Sequence, residues 1–488
     1  MRSSRRQARR FSPTPADVDT KDLPSLGIEA LAELLRRRQT SSEEIVTACL
    51  ERIHRLNPTL AAFITVDADG ALRAARRADR SRARERGPLH GIPFAAKDAL
   101  WAKGLPATNG SRLFADFMPA EDATVIARLR AAGAILLGKL NMMELGFGPT
   151  LHPPFGTPRN PWNVERTPGG SSSGSASAVA ARLVPVTLGG DTGGSIRLPA
   201  ALCGVVGLKP TRGRVSRHGL IGICPAFDCA GPLAASVADA ARVLQVIAGH
   251  DRRDPGTSRA AVGDYVAVTA RGVDGARVGV VKEFMESALL KDEVRRLVMD
   301  AVAALDKIGA RVSEVSLPLI PHASAIYVGV AEPQAAALFR PYLTTRASEI
   351  DVLPRRRLLT ASLVPASVIA RARGLGERLR AQVDEALRDV DVLVGPTTLS
   401  GAPPIPASAR LRSKDEAWMA AVAGRSVFTN PFNVTGHPAL SVPCGFTGEQ
   451  LPVGLQIVGR YYAEADVLRI GAAYEAVTEW HRRRPSLA

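Results

Sequence analysis

The sequence predicts a single large α/β domain with a central mixed, mostly parallel β-sheet covered by helices on both faces. Short apolar runs alternate along the chain with segments of helical periodicity, which indicates crossover connections between strands. Of the 488 residues, 46% are hydrophobic and 23% are charged, which is the balance of a globular protein. No internal repeat and no long low-complexity linker divides the chain, so one domain over residues 25–488 is preferred to several.

The predicted elements of the N-terminal part lead to one lysine. Residues 26–57 have the periodicity of two helices, and Ser41 to Glu44 form a capping box that opens the second. Residues 91–96 are a short apolar run, which predicts a buried strand that ends at Lys97. Four further elements are predicted in alternation: a helix at 121–132, a strand at 134–137, a helix at 173–182 and a strand at 184–188.

The C-terminal half continues the alternation and adds a helical region. Strands are predicted at 277–281, 312–315 and 391–394, and a helix at 292–308. Residues 318–425 carry weak strand signals and much helical periodicity, so we expect them to form a helical cap over one end of the sheet. From Asn430 onward, short apolar runs return between Gly and Pro residues, which predicts strands that complete the sheet.

The chain carries a formal net charge of +16, yet we expect it to bind no nucleic acid. Its basic residues fall in clusters, at 73–86, 355–357 and 482–484 among others, and no nucleic-acid-binding motif accompanies them. Solvated helix faces account for such clusters. A catalytically silent protein that binds polyanions is the alternative from a different functional class.

Residues 1–24 predict a basic, disordered leader. They hold five arginines and no apolar core, so neither a secretory nor a twin-arginine signal is complete. No apolar run approaches the roughly 18 residues of a membrane span. The five cysteines are scattered without a CxxC pair, which indicates a reducing compartment and neither a zinc site nor a disulfide framework. We therefore expect a cytoplasmic protein that does not associate with membranes.

Two Gly-Gly-Ser turns, at 169–171 and 193–195, flank a small-residue segment and a short apolar run. Glycines beside a serine permit tight turns and the close approach of a substrate. A serine hydroxyl that attacks a carbonyl needs an adjacent base and N–H donors aimed at the developing oxyanion. Consecutive backbone N–H groups in residues 190–195 could supply those donors. These turns therefore predict a nucleophilic serine.

The base for this serine is not a histidine of the same segment. None of the eight histidines lies within residues 168–199, and none has a sequence context that marks it as a base. The G-x-S-x-G elbow of α/β-hydrolases is missing as well. A Ser–Lys arrangement remains, and Lys97 at the end of a buried strand suits it, because burial disfavours the charged ammonium and so frees the amine to accept a proton.

These motifs resemble the amidase signature family, whose signature is close to GGSSGGS followed by GTDTGGSIR. Two positions depart from it: Ser173 stands for a glycine and Gly190 for a threonine. Neither departure removes a catalytic group. The resemblance extends over most of the chain, with a signature core at about 75–250 and 425–475, and its further motifs lie at 91–98, 138–144, 203–214, 231–232, 436–438 and 452–456.

The resemblance implies a role for each residue of the signature. Ser195 is similar to the family's nucleophile, Ser171 to its serine on a cis peptide bond, which relays protons, and Lys97 to its general base. Ser172 is similar to a supporting hydroxyl, and we expect Asp191 and Arg197 to support the site by hydrogen bonding. The implied oxyanion hole consists of N–H groups from Ser195 and from Thr192, Gly193 and Gly194.

The implied activity is hydrolysis of a carboxylic amide through an acyl-enzyme, with no metal and no organic cofactor. Aryl amides, esters and carbamates (a urethanase activity) are further substrates of such families. We expect Met142, Met143 and Leu145 to line a pocket for a neutral, largely apolar small-molecule substrate. The alternative within the family is the glutaminase-type subunit of a tRNA-dependent amidotransferase, although residues 331–342 differ from that subunit's usual element. A homodimer is compatible with the sequence.

Overall fold

A computed structural model describes residues 20–405 and 426–487, in which one eleven-stranded mixed sheet forms the centre of the chain. The strand order across the sheet is β1-β3-β2-β4-β6-β5-β10-β11-β9-β7-β8. The strands are β1 Phe63–Val66, β2 Pro93–Lys97, β3 Ile135–Leu140, β4 Val186–Asp191, β5 Val206–Lys209, β6 Cys229–Ala234, β7 Arg277–Val281, β8 Arg311–Val315, β9 Val392–Pro396, β10 Ala439–Phe446 and β11 Pro452–Gly459.

Fourteen α-helices are present among the described residues. They are α1 Ile28–Arg36, α2 Ser42–Leu60, α3 Ala68–Arg80, α4 Thr124–Ala131, α5 Ser173–Ala180, α6 Arg197–Cys203, α7 Val237–Ile247, α8 Lys282–Met285, α9 Asp292–Lys307, α10 Ala323–Thr345, α11 Val352–Ala361, α12 Ala366–Asp389, α13 Asn430–Val434 and α14 Glu464–Ala476. The capping box predicted for the second helix is present at Ser41 and Glu44.

Helices cover both faces of the sheet, as the alternation of side chains along β3 demonstrates. Leu136 belongs to the apolar cluster that contains side chains of α4 and α7. Its neighbours Ile135 and Leu137 belong to a second cluster, which contains side chains of α3 and α5. Successive side chains of a strand point to opposite faces, so each face of the sheet is buried under its own helices. The predicted α/β fold with a mixed sheet is confirmed.

The prediction that the sheet is mostly parallel is wrong. Of the ten strand pairings, four are parallel, at the two flanks of the sheet, and six are antiparallel. The antiparallel pairings include a continuous series from β4 to β9 through β6, β5, β10 and β11. Strands β10 and β11 are joined by only residues 447–451, and a connection this short permits a hairpin but no crossover.

Two predicted regional boundaries also change. The leader was predicted to extend to residue 24, but Thr20–Ser25 form a 3-10 helix whose Leu23 packs in the main apolar cluster; residues 1–19 lie outside the described residues. Helices α10, α11 and α12 fall in the region predicted as a helical cap. Strand β9 falls in the same region but pairs with β11 and β7, so it belongs to the sheet. Residues 406–425 of that region lie outside the described residues.

Among the described residues, no single helix has both the length and the apolar composition needed to cross a membrane. Helices α11 and α12 meet this criterion only as a pair, and the pair is bent by 94°.

Candidate active site

Three ionisable side chains lie together where neighbouring strands of the sheet end or begin. Strands β2 and β4 are parallel neighbours, and they end at Lys97 and Asp191. Strand β6 runs antiparallel to β4 and begins at Cys229, directly opposite Asp191. Asp228, the residue before β6, therefore lies at the same edge as the other two side chains. All three are almost completely buried.

Lys97 is buried and hydrogen-bonded to a serine. Its Nζ donates a hydrogen bond to Ser171 Oγ over 2.7 Å and lies 3.5 Å from the carbonyl oxygen of Gly190. Burial lowers the pKa of Lys97 to about 7, although the negative charges of Asp191 and Asp228 oppose that shift. Near neutral pH a large fraction of the side chain is therefore the free amine, which can accept a proton from Ser171.

Ser171 connects the lysine to the substrate pocket. The peptide bond between Gly170 and Ser171 is cis. Ser171 lines a small inner cavity together with Lys97, and it also lines the large pocket in which Ser195 is half-buried. Of the three residues that the sequence proposes as catalytic, Ser171 thus lines both cavities, Lys97 only the inner one and Ser195 only the large pocket.

Three residues were predicted to complete an oxyanion hole with Ser195, and the structure changes this set. The N–H of Gly194 donates to Asp191 Oδ1 over 2.8 Å, so the nearby carboxylate already occupies this donor. Within the described part of the chain, the N–H groups of Gly193 and Ser195 have no acceptor. Thr192 contributes its side chain, whose hydroxyl donates to Asp228 Oδ1 over 2.5 Å. The N–H of Thr192 likewise has no acceptor among the described residues, so Thr192, Gly193 and Ser195 are the donors available to an oxyanion.

Gly194 must be glycine for two reasons. Its φ of +130° lies in a region that side chains other than glycine rarely adopt, and a Cβ there would collide with the Thr429 hydroxyl. Thr429 in turn donates to the carbonyl oxygen of Gly193 over 2.7 Å. The turn that precedes Ser195 is therefore held from outside by the C-terminal part of the chain.

A buried ion pair fixes the turn from inside. Arg197 is fully buried, and its Nε and Nη2 donate to the two oxygens of Asp191 over 3.1 and 3.0 Å. Burial opposes ionisation of Asp191, but the Arg197 charge and the hydrogen bonds from Arg197 and Asn433 outweigh it and hold the pKa of Asp191 below its ordinary value. The remaining Arg197 donors reach Thr429, Asn433 and Gln456. The geometry agrees with the supporting roles expected for Asp191 and Arg197.

Ser172 joins the two Gly-Gly-Ser turns. Its hydroxyl donates to the carbonyl oxygen of Gly190 over 3.1 Å, and its N–H donates to the carbonyl oxygen of Ser195 over 3.2 Å. The first bond ties the first turn to the end of β4, and the second ties it to the residue proposed as the nucleophile. Ser172 is thus positioned for the supporting role that the resemblance implies.

We predict that Arg197→Met lowers the free energy of unfolding by about 3–5 kcal/mol, because it leaves the buried Asp191 charge without its partner. Urea denaturation followed by circular dichroism measures this change. The matched control is Arg76→Met, which breaks an exposed ion pair with Glu43 and is expected to cost less than about 1 kcal/mol. Equal losses in the two variants would contradict the structural role of Arg197.

The substrate pocket differs from the one predicted. It has a volume of about 340 Å³, and of the three predicted lining residues only Met143 faces it. Met142 and Leu145 line the small inner cavity instead. The reason is a tight turn at Glu144–Gly146, in which Leu145 has a φ of +52° and is buried. The sequence pattern carries no signal for such a reversal.

Most of the described pocket lining comes from segments that the sequence did not single out. The hydroxyl side chains of Thr167, Thr398, Ser400 and Ser426 line it, and apolar side chains come from the loops after β3 and before β6 and from helices α6 and α10. The side chains concerned are Phe147, Pro149, Leu198, Leu202, Ile223, Tyr327 and Ala331. The sequence indicates only the regions from which these side chains come, which are the residues after Asn141 and the less regular stretch beyond residue 250.

Two charged side chains also line the pocket, and they neutralise each other. Glu332 of α10 accepts a hydrogen bond from Arg357 of α11. The same guanidinium donates to the carbonyl oxygen of Phe147 and lies 4.9 Å from the centre of its ring. The described wall of the pocket therefore combines apolar side chains and hydroxyl groups with one internally compensated ion pair.

A buried lysine bonded to a serine, beside a second serine in a glycine-rich turn, is the side-chain arrangement of serine–lysine hydrolases. The chain belongs to the Amidase family, whose model matches residues 44–468. It is 41% identical to one subunit of the glutamyl-tRNA(Gln) amidotransferase of Roseiflexus sp. (strain RS-1), over 95% of this chain and 99% of that protein. The predicted family is therefore confirmed, and the chain is an enzyme of a family that cleaves carbon–nitrogen bonds.

Solved structures agree with this assignment. The native peptide amidase of Stenotrophomonas maltophilia superposes with a TM-score of 0.82 at 34% identity, over 94% of this chain and 98% of that one. A 6-aminohexanoate cyclic dimer hydrolase complexed with substrate superposes with a TM-score of 0.86 at 30% identity, over 96% and 99% of the two chains. The similarity therefore includes the whole sheet and the helices around it.

Proposed function

We propose that this chain hydrolyses a carboxylic amide to an acid and an amine through an acyl-enzyme on Ser195, without a cofactor. The observation that carries the proposal is the 2.7 Å hydrogen bond from the buried Lys97 amine to Ser171, at the edge of a pocket that also exposes Ser195. A nucleophile, a proton relay and a base with a pKa near 7 are thereby arranged in sequence.

The reaction follows from this arrangement. Ser195 Oγ attacks the amide carbonyl while its proton passes to Ser171 Oγ, and the Ser171 proton passes to Lys97 Nζ. The N–H groups of Thr192, Gly193 and Ser195 stabilise the oxyanion. Lys97 then returns its proton through Ser171 to the leaving nitrogen, the C–N bond breaks, and the amine departs. Water attacks the ester by the same proton route and releases the acid and the free Ser195.

The pocket supports a neutral, largely apolar substrate. Its described lining contains aliphatic and aromatic side chains together with hydroxyl groups, and its two charges are paired with each other. A charged substrate group would have to break the Glu332–Arg357 pair or remain buried without a partner, which costs several kcal/mol. Aryl amides and amides of apolar acids fit this lining, and the corresponding esters and carbamates are further candidates.

A second candidate is favoured by the identity to the Roseiflexus protein. That relative is one component of an amidotransferase, and the match covers nearly the full length of both chains. Under this hypothesis the chain releases ammonia from glutamine, and partner subunits complete the enzyme. Residues 331–342, which lie in α10, differ from the element expected of such a glutaminase-type subunit. The paired charges of the pocket also leave no free carboxylate among the described residues for the ammonium of glutamine.

A substrate screen separates these functions. The purified protein is offered aryl amides, primary amides, peptide amides, esters, carbamates and glutamine, and the released amine or ammonia is quantified. We expect turnover of neutral amides by the chain alone. Glutamine hydrolysis that requires added amidotransferase partner subunits would support the second candidate instead. Salt-sensitive binding of nucleic acid, together with no reaction of Ser195 with a fluorophosphonate, would contradict both enzymatic functions.

A further inference from the structure

Asp228 is a buried carboxylate that contacts both sides of the catalytic site. Its Oδ1 accepts the hydrogen bond from the Thr192 hydroxyl, at the start of the oxyanion turn. Its Oδ2 accepts from the N–H groups of Ile223 and Cys224, over 3.1 and 3.0 Å. Ile223 forms part of the wall of the substrate pocket. One carboxylate therefore joins the turn that carries Ser195 to the loop that shapes the pocket.

The same carboxylate faces the proposed base. Asp228 lines the small inner cavity together with Lys97, Ser171 and Thr192, and this cavity of about 20 Å³ is the size of one water molecule. Gly222 lies against the carboxylate so closely that a Cβ there would collide with Asp228 Oδ2. The close approach of the loop at this glycine holds the carboxylate in place at the cavity.

We propose that Asp228 is a positioning residue for the reaction: it fixes the Thr192 end of the oxyanion turn and places a negative charge across the inner cavity from Lys97. The inference rests on the proposed function, because it assigns Asp228 to the same serine–lysine site. It goes beyond that function, because Asp228 lies outside the signature and takes no part in the proton route from Ser195 to Lys97.

Two carboxylates face Lys97, those of Asp191 and Asp228, and the charge of each stabilises its ammonium form. Asp191 is also paired with Arg197 through two hydrogen bonds. Burial raises the pKa of Asp228 to about 6, while the hydrogen bonds from Thr192 and Cys224 oppose that shift. Asp228 is therefore largely ionised at the pH of about 7 at which half of Lys97 has lost its proton.

The other titratable groups that face Asp228 do not neutralise its negative charge. Arg217 is a cation among them, and Asp254 binds it over 3.1 and 2.9 Å. Burial raises the pKa of the remaining groups, so they are uncharged near neutral pH; they are Cys224, Cys229 and Tyr327. The negative charge of Asp228 thus stabilises the ammonium form of Lys97 and keeps the amine basic enough to take a proton from Ser171.

The rate at which a fluorophosphonate labels Ser195 tests this role without knowledge of the natural substrate. In the wild-type protein we expect the labelling rate to rise with pH as Lys97 loses its proton. Asp228→Asn removes the charge at nearly constant volume, so the Lys97 ammonium is less stable and its pKa falls. The rise is then expected at a pH lower by about one unit, with a lower plateau rate because the hydrogen bond to Thr192 is altered.

Three companion variants separate charge from position. Thr192→Val keeps the charge and removes the hydrogen bond, so we expect labelling to be about tenfold slower with the pH of the rise unchanged. Asp228→Glu keeps the charge but displaces it, and the rise is expected at the wild-type pH with a reduced rate. Asp239→Asn is the matched control, since Asp239 is an equally buried carboxylate that accepts from the N–H of Ile28 and lines neither cavity. It should leave the pH profile unchanged.

The outcomes distinguish a failure of the proposed function from a failure of the role proposed for Asp228. Absence of labelling at Ser195 in the wild-type protein overturns the proposed function itself. Labelling of the wild-type protein with an unmoved pH rise in folded Asp228→Asn overturns the role of Asp228. If circular dichroism shows that Asp228→Asn is unfolded, Asp228→Glu and Thr192→Val decide. A shift in the pH at which labelling of Asp228→Glu rises, or an unchanged labelling rate in Thr192→Val, overturns the role.

Discussion

Ser195→Ala is expected to reduce amide hydrolysis by about 10⁴-fold or more and to abolish labelling by a fluorophosphonate. The substitution removes the only oxygen that can form the acyl-enzyme in the proposed mechanism, while Lys97, Ser171 and the oxyanion donors remain. Turnover of an aryl amide measures the first effect, and mass spectrometry of the labelled protein measures the second. The fold should persist, because the Ser195 hydroxyl makes no hydrogen bond among the described residues.

Ser177→Ala is the matched control for this prediction. Ser177 lies in α5 only a few residues after the first Gly-Gly-Ser turn, and its hydroxyl donates to the carbonyl oxygen of Arg159 over 2.9 Å. It lines neither the substrate pocket nor the inner cavity. Turnover in this variant should match that of the wild-type protein. Comparable turnover in Ser195→Ala would show that another group attacks the substrate.

Lys97→Met is expected to abolish hydrolysis at every pH, because it preserves the shape of the side chain and removes the base. In the wild-type enzyme, the rate should rise as the pH increases through about 7, since the lowered pKa of Lys97 places the change from ammonium to amine there. Below that pH the ammonium cannot accept the Ser171 proton. Initial rates between pH 5.5 and 9 would measure both effects, with folding at each pH checked by circular dichroism.

Two further substitutions sharpen the test of the base. Lys97→Arg keeps a positive charge that no accessible pH removes, so it should be as inactive as Lys97→Met. Lys103→Met, at an exposed lysine of the following loop, should retain the wild-type rate and pH profile. Near-normal turnover in Lys97→Met at neutral pH would exclude Lys97 as the general base.

The strands could be predicted where the chain gives local signals. The strand predicted at 277–281 is β7, and the one predicted at 134–137 overlaps β3, because apolar runs bounded by turn residues are local features. Strand direction is a different matter, since it depends on which strands become neighbours. The pairing of β5 with β10 joins residues more than 200 positions apart, and no periodicity within either segment reports it. For this reason the prediction that most strand pairings are parallel is wrong.

The candidate site likewise contains residues that could be predicted from the sequence and residues that could not. The signature residues lie within one continuous stretch and near one strand end, so their residue types and spacing could be interpreted directly. The pocket wall and Asp228 depend on contacts between loops and helices that are distant in sequence, such as the close approach of Ile223 to Gly146. The reversed direction of Leu145 depends on a positive φ. Neither property is encoded in the apolar pattern.

The ion pair between Asp191 and Arg197 has a consequence for the order in which the protein becomes competent during synthesis. Arg197 donates to Thr429, Asn433 and Gln456, and β10 and β11 occupy the middle of the sheet. A ribosome-bound chain that ends before these residues carries Lys97, Ser171 and Ser195 but lacks the partners that hold the turn beside Ser195. The turn beside Ser195 therefore gains the last of these partners only after residue 456 has been synthesised and has left the ribosome.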